Sequence, residues 1–133
     1  MSTLSRFPLS TGANPFFKRD NTQRILTVDY QNPPFTQTAL VITAAETLIQ
    51  PAVLTGIITY TVNVGTGLAD EIGPFVGDVI KFLFTPDTST RVVTFGTGFL
   101  PTGTLSVTTG KTATASFTFD GTVWRQTGSA VTA

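Results

Sequence analysis

The sequence predicts an all-β fold: an antiparallel β-sandwich or jelly-roll-like barrel, oligomeric, with an extended N-terminal arm. Three observations predict it. From Arg24 onward apolar and polar residues alternate with a period of two, the pattern of half-buried strands. Short turn signals rich in Gly and Pro interrupt these runs, as they do in sandwiches and barrels. Threonine, 27 of 133 residues, supplies most of the hydrophilic surface, whereas charged residues make up only 12%. Thr is β-branched and stiff at χ1, so it suits a pleated strand with one wet face.

Residues 1–23, "MSTLSRFPLSTGANPFFKRDNTQ", read as an arm and not as part of the sheet. They carry two prolines and apolar residues without periodicity. Arg6, Lys18, Arg19 and the adjoining Arg24 are half of the eight basic residues. A purely solvated tail has no need of Phe7, Phe16 and Phe17, so these three, with Lys18 and Arg19, are the candidate partner-binding residues.

Residues 24–133 read as one β-domain, in a chain of 133 residues that is large enough to bury roughly 68% of its unfolded surface. "RILTVDY" places Leu26, Val28 and Tyr30 on one face. "TALVITA" opposes Leu40 and Ile42 to Val41 and Thr43, and "TGIITYTVNV" sets Ile58, Tyr60, Val62 and Val64 against Ile57, Thr59, Thr61 and Asn63. "GDVIKFLFT" gathers Ile80, Phe82 and Phe84; "TRVVTFG" gathers Val93 and Phe95. In "KTATASFTFD" Ala113, Ala115, Phe117 and Phe119 oppose Thr112, Thr114, Ser116 and Thr118, and "GTVWRQT" closes the domain. Asp120-Gly121 between the last two runs signals a hairpin, because Gly accepts the positive φ of primed turns. Only "AAETLIQPAVL", Ala44 to Leu54, admits a helical turn, which Pro51 cuts short.

The reagents of catalysis are scarce. No His and no Cys are present, so serine triads, cysteine nucleophiles and zinc sites lose their usual members, and no disulfide forms. The formal net charge is zero, which gives the whole molecule no electrostatic reason to seek nucleic acid. No signal-peptide pattern or membrane-length apolar run is read, so synthesis in a cytoplasm is expected, with no membrane partner. Most acids stand in or before turns, where Asp bonds backbone N–H groups. Convergence of Asp70 with Asp78, or of Asp87 with Asp120, is the remaining route to a glycosidase-like pair. Asp70 and Glu71 lack the spacing of a calcium loop. "VGTG" and "FGTGF" are turns and not nucleotide loops, since neither leads into a helix. The expectation is a protein that is not an enzyme and has no catalytic residue, cofactor or metal site. Trp124 remains open between core, subunit interface and ligand contact.

Residues 77–126 carry "GDVIKFLFTPD", "RVVTFGTGF" and "TLSVTTGKTATASFTFDGTVW". This succession resembles a β-module of bacteriophage structural proteins, found in tail fibres, head fibres and capsid decoration proteins. The resemblance implies a virion component without enzymatic activity, usually a homotrimer. A short chain with an N-terminal arm and no repetitive shaft fits a decoration protein or head fibre on the capsid surface, partnered by capsid or other virion proteins. The alternative is the receptor- or carbohydrate-binding tip of a tail fibre, with a host-surface glycan as ligand and Trp124 as its contact.

Overall fold

The computed structural model of the protein describes residues 25–65 and 73–132. These residues hold ten strands and no helix. Five strands lead up to Phe84: β1 (Ile25–Gln31), β2 (Ala39–Leu40), β3 (Ala44–Ile49), β4 (Ile58–Val62) and β5 (Val79–Phe84). Five follow: β6 (Arg91–Phe95), β7 (Phe99–Leu100), β8 (Gly103–Val107), β9 (Thr112–Phe119) and β10 (Trp124–Thr132). The arm, residues 1–23, lies outside the described residues.

The strands form a six-stranded sheet, β1-β3-β5-β9-β10-β7, and a four-stranded sheet, β2-β4-β6-β8. Both are mixed, which corrects the antiparallel expectation, and neither closes into a barrel. β1, β3 and β5 run parallel, as do β2, β4 and β6. β9 then enters antiparallel beside β5, and β8 antiparallel beside β6.

The reason lies in the connections. Parallel neighbours need a crossover of a dozen or more residues, usually a helix. Here the crossover between two strands of one sheet is a strand of the other. The chain leaves β1, forms β2 opposite, returns as β3, crosses to β4, and continues so through β8. "QNPPF", "GPFVGD" and "TPDTST" therefore carry the chain between sheets and do not fold strands back on themselves. Among the described connections only Asp120–Val123, between β9 and β10, is a hairpin, and there Gly121 takes φ +102°.

Burial follows the alternation within each strand. Ile58, Tyr60 and Val62 from β4, Val93 and Phe95 from β6, and Val107 from β8 meet the inner face of the larger sheet. That sheet contributes Ile49, Ile80, Phe82, Phe84, Phe117, Phe119 and Trp124, and Ala113 and Ala115 leave room for the rings. The two sheets thus share one core, an arrangement consistent with a β-sandwich. Its centre is aromatic: the Phe117 ring lies 4.8 Å from Phe99 and 4.9 Å from Phe95, centroid to centroid, in tilted contact that suits ring quadrupoles.

Two segments depart from the expected elements. Ala44–Ile49, where a helical turn is admissible, is strand β3, with Thr47 and Ile49 inward and Ala44 also buried; pairing on both sides by β1 and β5 overrides local propensity. "TALVITA" is not one strand. β2 ends at Leu40, and the Asn63 side chain then acts as a stand-in peptide group for Ile42. Its Oδ1 accepts the Ile42 N–H at 2.8 Å, and its Nδ2 donates to the Ile42 carbonyl at 3.3 Å.

Two buried hydroxyls lack a partner among the described residues, Thr47 Oγ1 and Tyr60 Oη. Burial pushes the Tyr60 phenol up to about 12, so it stays neutral. A buried hydroxyl without a hydrogen bond costs stability, and its removal without loss of shape restores some. Tyr60→Phe and Thr47→Val are therefore expected to leave stability unchanged or raise it by up to about 1 kcal/mol. Urea unfolding midpoints check this; a loss greater than about 1 kcal/mol would reveal a partner for the hydroxyl.

Candidate functional site

A catalytic carboxylate must be free to face substrate. Asp120 stands at the β9–β10 hairpin, and its Oδ1 accepts the N–H groups of Thr122 and Val123 at 2.8 and 2.9 Å. Arg125 pairs with its other oxygen. The two backbone donors, then the guanidinium, hold this carboxyl down at about 2. Asp87 follows β5; Arg91 grips it with two N–H groups at 2.8 and 2.7 Å, and the Ser89 N–H adds a third donor. The Arg91 hydrogen bonds are the main reason that its carboxyl is also lowered. Asp78 is buried, and its Oδ2 accepts the Phe75 N–H at 2.9 Å. These acids shape turns.

Register separates one of the suspected pairs. Asp120 follows Phe119, whose N–H bonds the Asp78 carbonyl at the start of β5. Asp87 lies beyond Phe84, which pairs with Ala113 at the other end of the same ladder. Six strand residues at about 3.3 Å each put roughly 20 Å between the two carboxylates, too far for paired acid–base work. Asp70, of the other pair, lies outside the described residues, as do Glu71, Phe7, Phe16, Phe17, Lys18 and Arg19. Among the described residues no group of three or more Asp or Glu gathers to hold a metal.

A pH effect follows from Asp120 and Asp87. Each carboxyl is more acidic in the folded chain than in the unfolded one. The stabilisation is complete above pH ~4, the unfolded value, and is lost as pH falls through the folded one, about 2 for Asp120. Thermal midpoints should fall between pH 4 and 2, and Asp120→Asn should flatten that fall. An unchanged pH profile in the variant would contradict the assignment.

Trp124 is settled by its burial. The side chain is 0% exposed, its ring lies 5.2 Å from that of Phe119, and its Nε1 donates to the Asn63 carbonyl at 3.0 Å. Of the three readings left open for Trp124, this burial supports core over subunit interface or ligand contact. Parity alone did not reveal this; the register Trp124↔Phe119 does.

The surfaces that remain are the outer faces of the two sheets, and they differ. On the four-stranded sheet Thr59, Thr94 and Thr104 stand side by side across β4, β6 and β8, with Val92 beside Ser106. On the six-stranded sheet Val28, Glu46, Val79, Thr118, Arg125 and Leu100 form one row, and Tyr30, Leu48, Lys81 and Ser116 the next. Glu46 and Lys81 are paired at 3.1 Å across this face, both well exposed, and such pairs contribute little. Val28 is 59% exposed and Tyr30 53%. The face that they share, legible in "RILTVDY", is turned to solvent. Val76 and Ile57 are barer still, at 73% and 75%. Ile57 immediately precedes the alternating run of β4, which gives its exposure a sequence signal; Val76 has none.

No family model matches this chain, and comparison with curated proteins and with solved structures returns no match.

Proposed function

We propose that this chain is a non-enzymatic structural protein of a bacteriophage virion, a decoration protein or head fibre on the capsid surface. Residues 1–23 anchor it to capsid or other virion proteins, and copies of the β-domain associate. The observation that carries the reading is where the resembling residues fall. "FGTGF" spans the passage from β6 to β7, where the two sheets are bonded together, and "FDGTVW" is the hairpin of the larger sheet. The resembling segments thus hold hydrogen bonds that link the two sheets, and Asp78, Asp87 and Asp120 within them bond backbone N–H groups of turns. The apolar strip of Val28 and Tyr30 supports association, since each Å² of apolar area removed from water stabilises by roughly 25 cal/mol.

Co-sedimentation of the full chain with undecorated capsids tests the anchor. The wild type should pellet with the shells, and a chain carrying Phe16→Asp, Phe17→Asp, Lys18→Glu and Arg19→Glu should stay in solution with an unchanged circular dichroism spectrum. Equal binding of both would dismiss the arm as anchor. The other reading, a receptor- or carbohydrate-binding tail-fibre tip, now draws on the threonine row of β4, β6 and β8 alone. Glycan-array binding lost on Thr94→Val would favour it.

A further inference from the structure

Strand edges are the one place where a sheet offers backbone groups to a partner, and proteins usually blunt them with brevity, lysine or proline. β2 and β7 have two residues each, and Pro101 ends β7. β1 carries Asp29. β8 is five residues long and starts two positions after Pro101. β10 is different. It pairs with β9 along its length, but on its other side β7 reaches only Trp124 and Arg125 of its nine residues. The remaining seven, Gln126 to Thr132 in "QTGSAVT", have no strand on that second side among the described residues, and they include neither a charge nor a proline. Thr127, Gly128, Ser129 and Ala130 are exposed, and their small side chains let another backbone approach.

The geometry points to this edge as the seam along which two copies of the chain pair, antiparallel about a two-fold axis, so that each six-stranded sheet continues into its partner. This rests on the reading of the chain as self-associating and gives that association a place and a symmetry. A second copy fits for three reasons. The free stretch is neutral, so self-pairing sets no like charges opposite one another, and the zero net charge adds no long-range repulsion. A two-fold pairing is closed: the same stretch serves both copies and no bare edge remains, whereas a head-to-tail contact risks a filament. β7 also bounds the free stretch on one side only. The two-fold axis therefore puts the two β7 strands at opposite ends of the shared ladder, where they do not collide. With the axis near Ser129, that residue faces its own copy and Gly128 faces the partner's Ala130. The bulge at Thr127 falls opposite the partner's Val131, so the regular part of the shared ladder is Gly128 to Ala130, centred on the axis. Two-fold pairing differs from the three-fold association that the resemblance implies, so mass alone separates them.

The absence of cysteine makes a clean test available. Ser129→Cys and, on the β8 edge, Ser106→Cys each introduce a single thiol at an exposed position. Directly opposed residues of an antiparallel pair have Cα atoms about 4.5–5.5 Å apart, within disulfide range. Sedimentation of the wild type should give a dimer or an even multiple. Mild oxidation should link Ser129→Cys into covalent dimers and leave Ser106→Cys unlinked. Ala130→Lys should weaken association about tenfold or more, since each long side chain would stand opposite the partner's Gly128 and the two like charges would lie diagonally across the axis, within reach of each other, with the monomer's circular dichroism unchanged. A trimer, an Ala130→Lys chain that associates as the wild type does, or linking through Ser106→Cys instead would overturn the β10 seam while leaving self-association standing. A strictly monomeric wild type at micromolar concentration would overturn both.

Discussion

Gly98→Ala is expected to be among the most damaging single-methyl changes in this protein, with a loss of at least about 3 kcal/mol. Gly98 lies in "FGTGF" with φ +98°, a conformation that L side chains rarely adopt. A Cβ there would stand 2.4 Å from the Val62 carbonyl oxygen and 2.7 Å from Val62 Cγ1. Backbone is not a flexible obstacle. The Val62 N–H bonds the Thr97 carbonyl at 3.0 Å, and the Trp124 N–H bonds the carbonyl of Gly98 itself at 2.9 Å. Relieving the clash would break the point at which β4 of one sheet and β10 of the other are tied through the same turn. Gly110→Ala is the control: its φ is +78° but nothing lies within 4 Å of the added carbon, so it should cost only the left-handed penalty of about 1–2 kcal/mol. Urea titration of the two variants separates clash from backbone strain. Equal losses would contradict the close approach at Val62.

Trp124→Ala should cost about 3–5 kcal/mol, the range for emptying a buried aromatic site. The indole is wholly enclosed, packs on Phe119, and carries the hydrogen bond to the Asn63 carbonyl. Asn63 in turn holds the Ile42 backbone through its side chain, so the loss spreads to the segment after β2. Trp124→Phe retains most of the packing but leaves the Asn63 carbonyl unbonded, which should cost about 1–3 kcal/mol. Trp124 is the sole tryptophan, so its fluorescence reports the site directly. The native protein should emit as a shielded indole, inaccessible to iodide. Free quenching in the native state would show the residue to be exposed after all.

The fold was legible in the sequence as far as a period of two can carry it. Phe82, Phe84, Phe117 and Phe119 are inward as their parity requires, and so are Ile58, Tyr60 and Val62. Alternation says which side of a strand is buried but not which strand lies beside it, and this is where the antiparallel expectation failed. A turn such as "GPFVGD" looks the same whether the chain returns to its neighbour or crosses to the opposite sheet. Asp120-Gly121 is readable as a hairpin because Asp-Gly stands directly between two alternating runs and Gly121 accepts the positive φ of the turn, although glycines of positive φ also serve crossovers, as Gly98 and Gly110 do. Position in a sheet was equally hidden. Val28 and Tyr30 carry the pattern of a core strand, yet among the described residues β1 is an edge and their face is the outer one. Trp124 was ambiguous for a related reason: both its neighbours, Val123 and Arg125, fit either side until the register with Phe119 is fixed. The turn role of Asp78, Asp87 and Asp120 is legible because short Asp side chains beside Gly and Pro have backbone N–H groups within reach.

The proposal as a whole is that this protein belongs to the outside of a virus shell. Immunogold labelling of purified intact particles with antibody raised against the chain tests that most directly. Gold distributed over the capsid surface, in numbers that track the shell, is the predicted result. Particles that carry no label, or label confined to the tail, would contradict it.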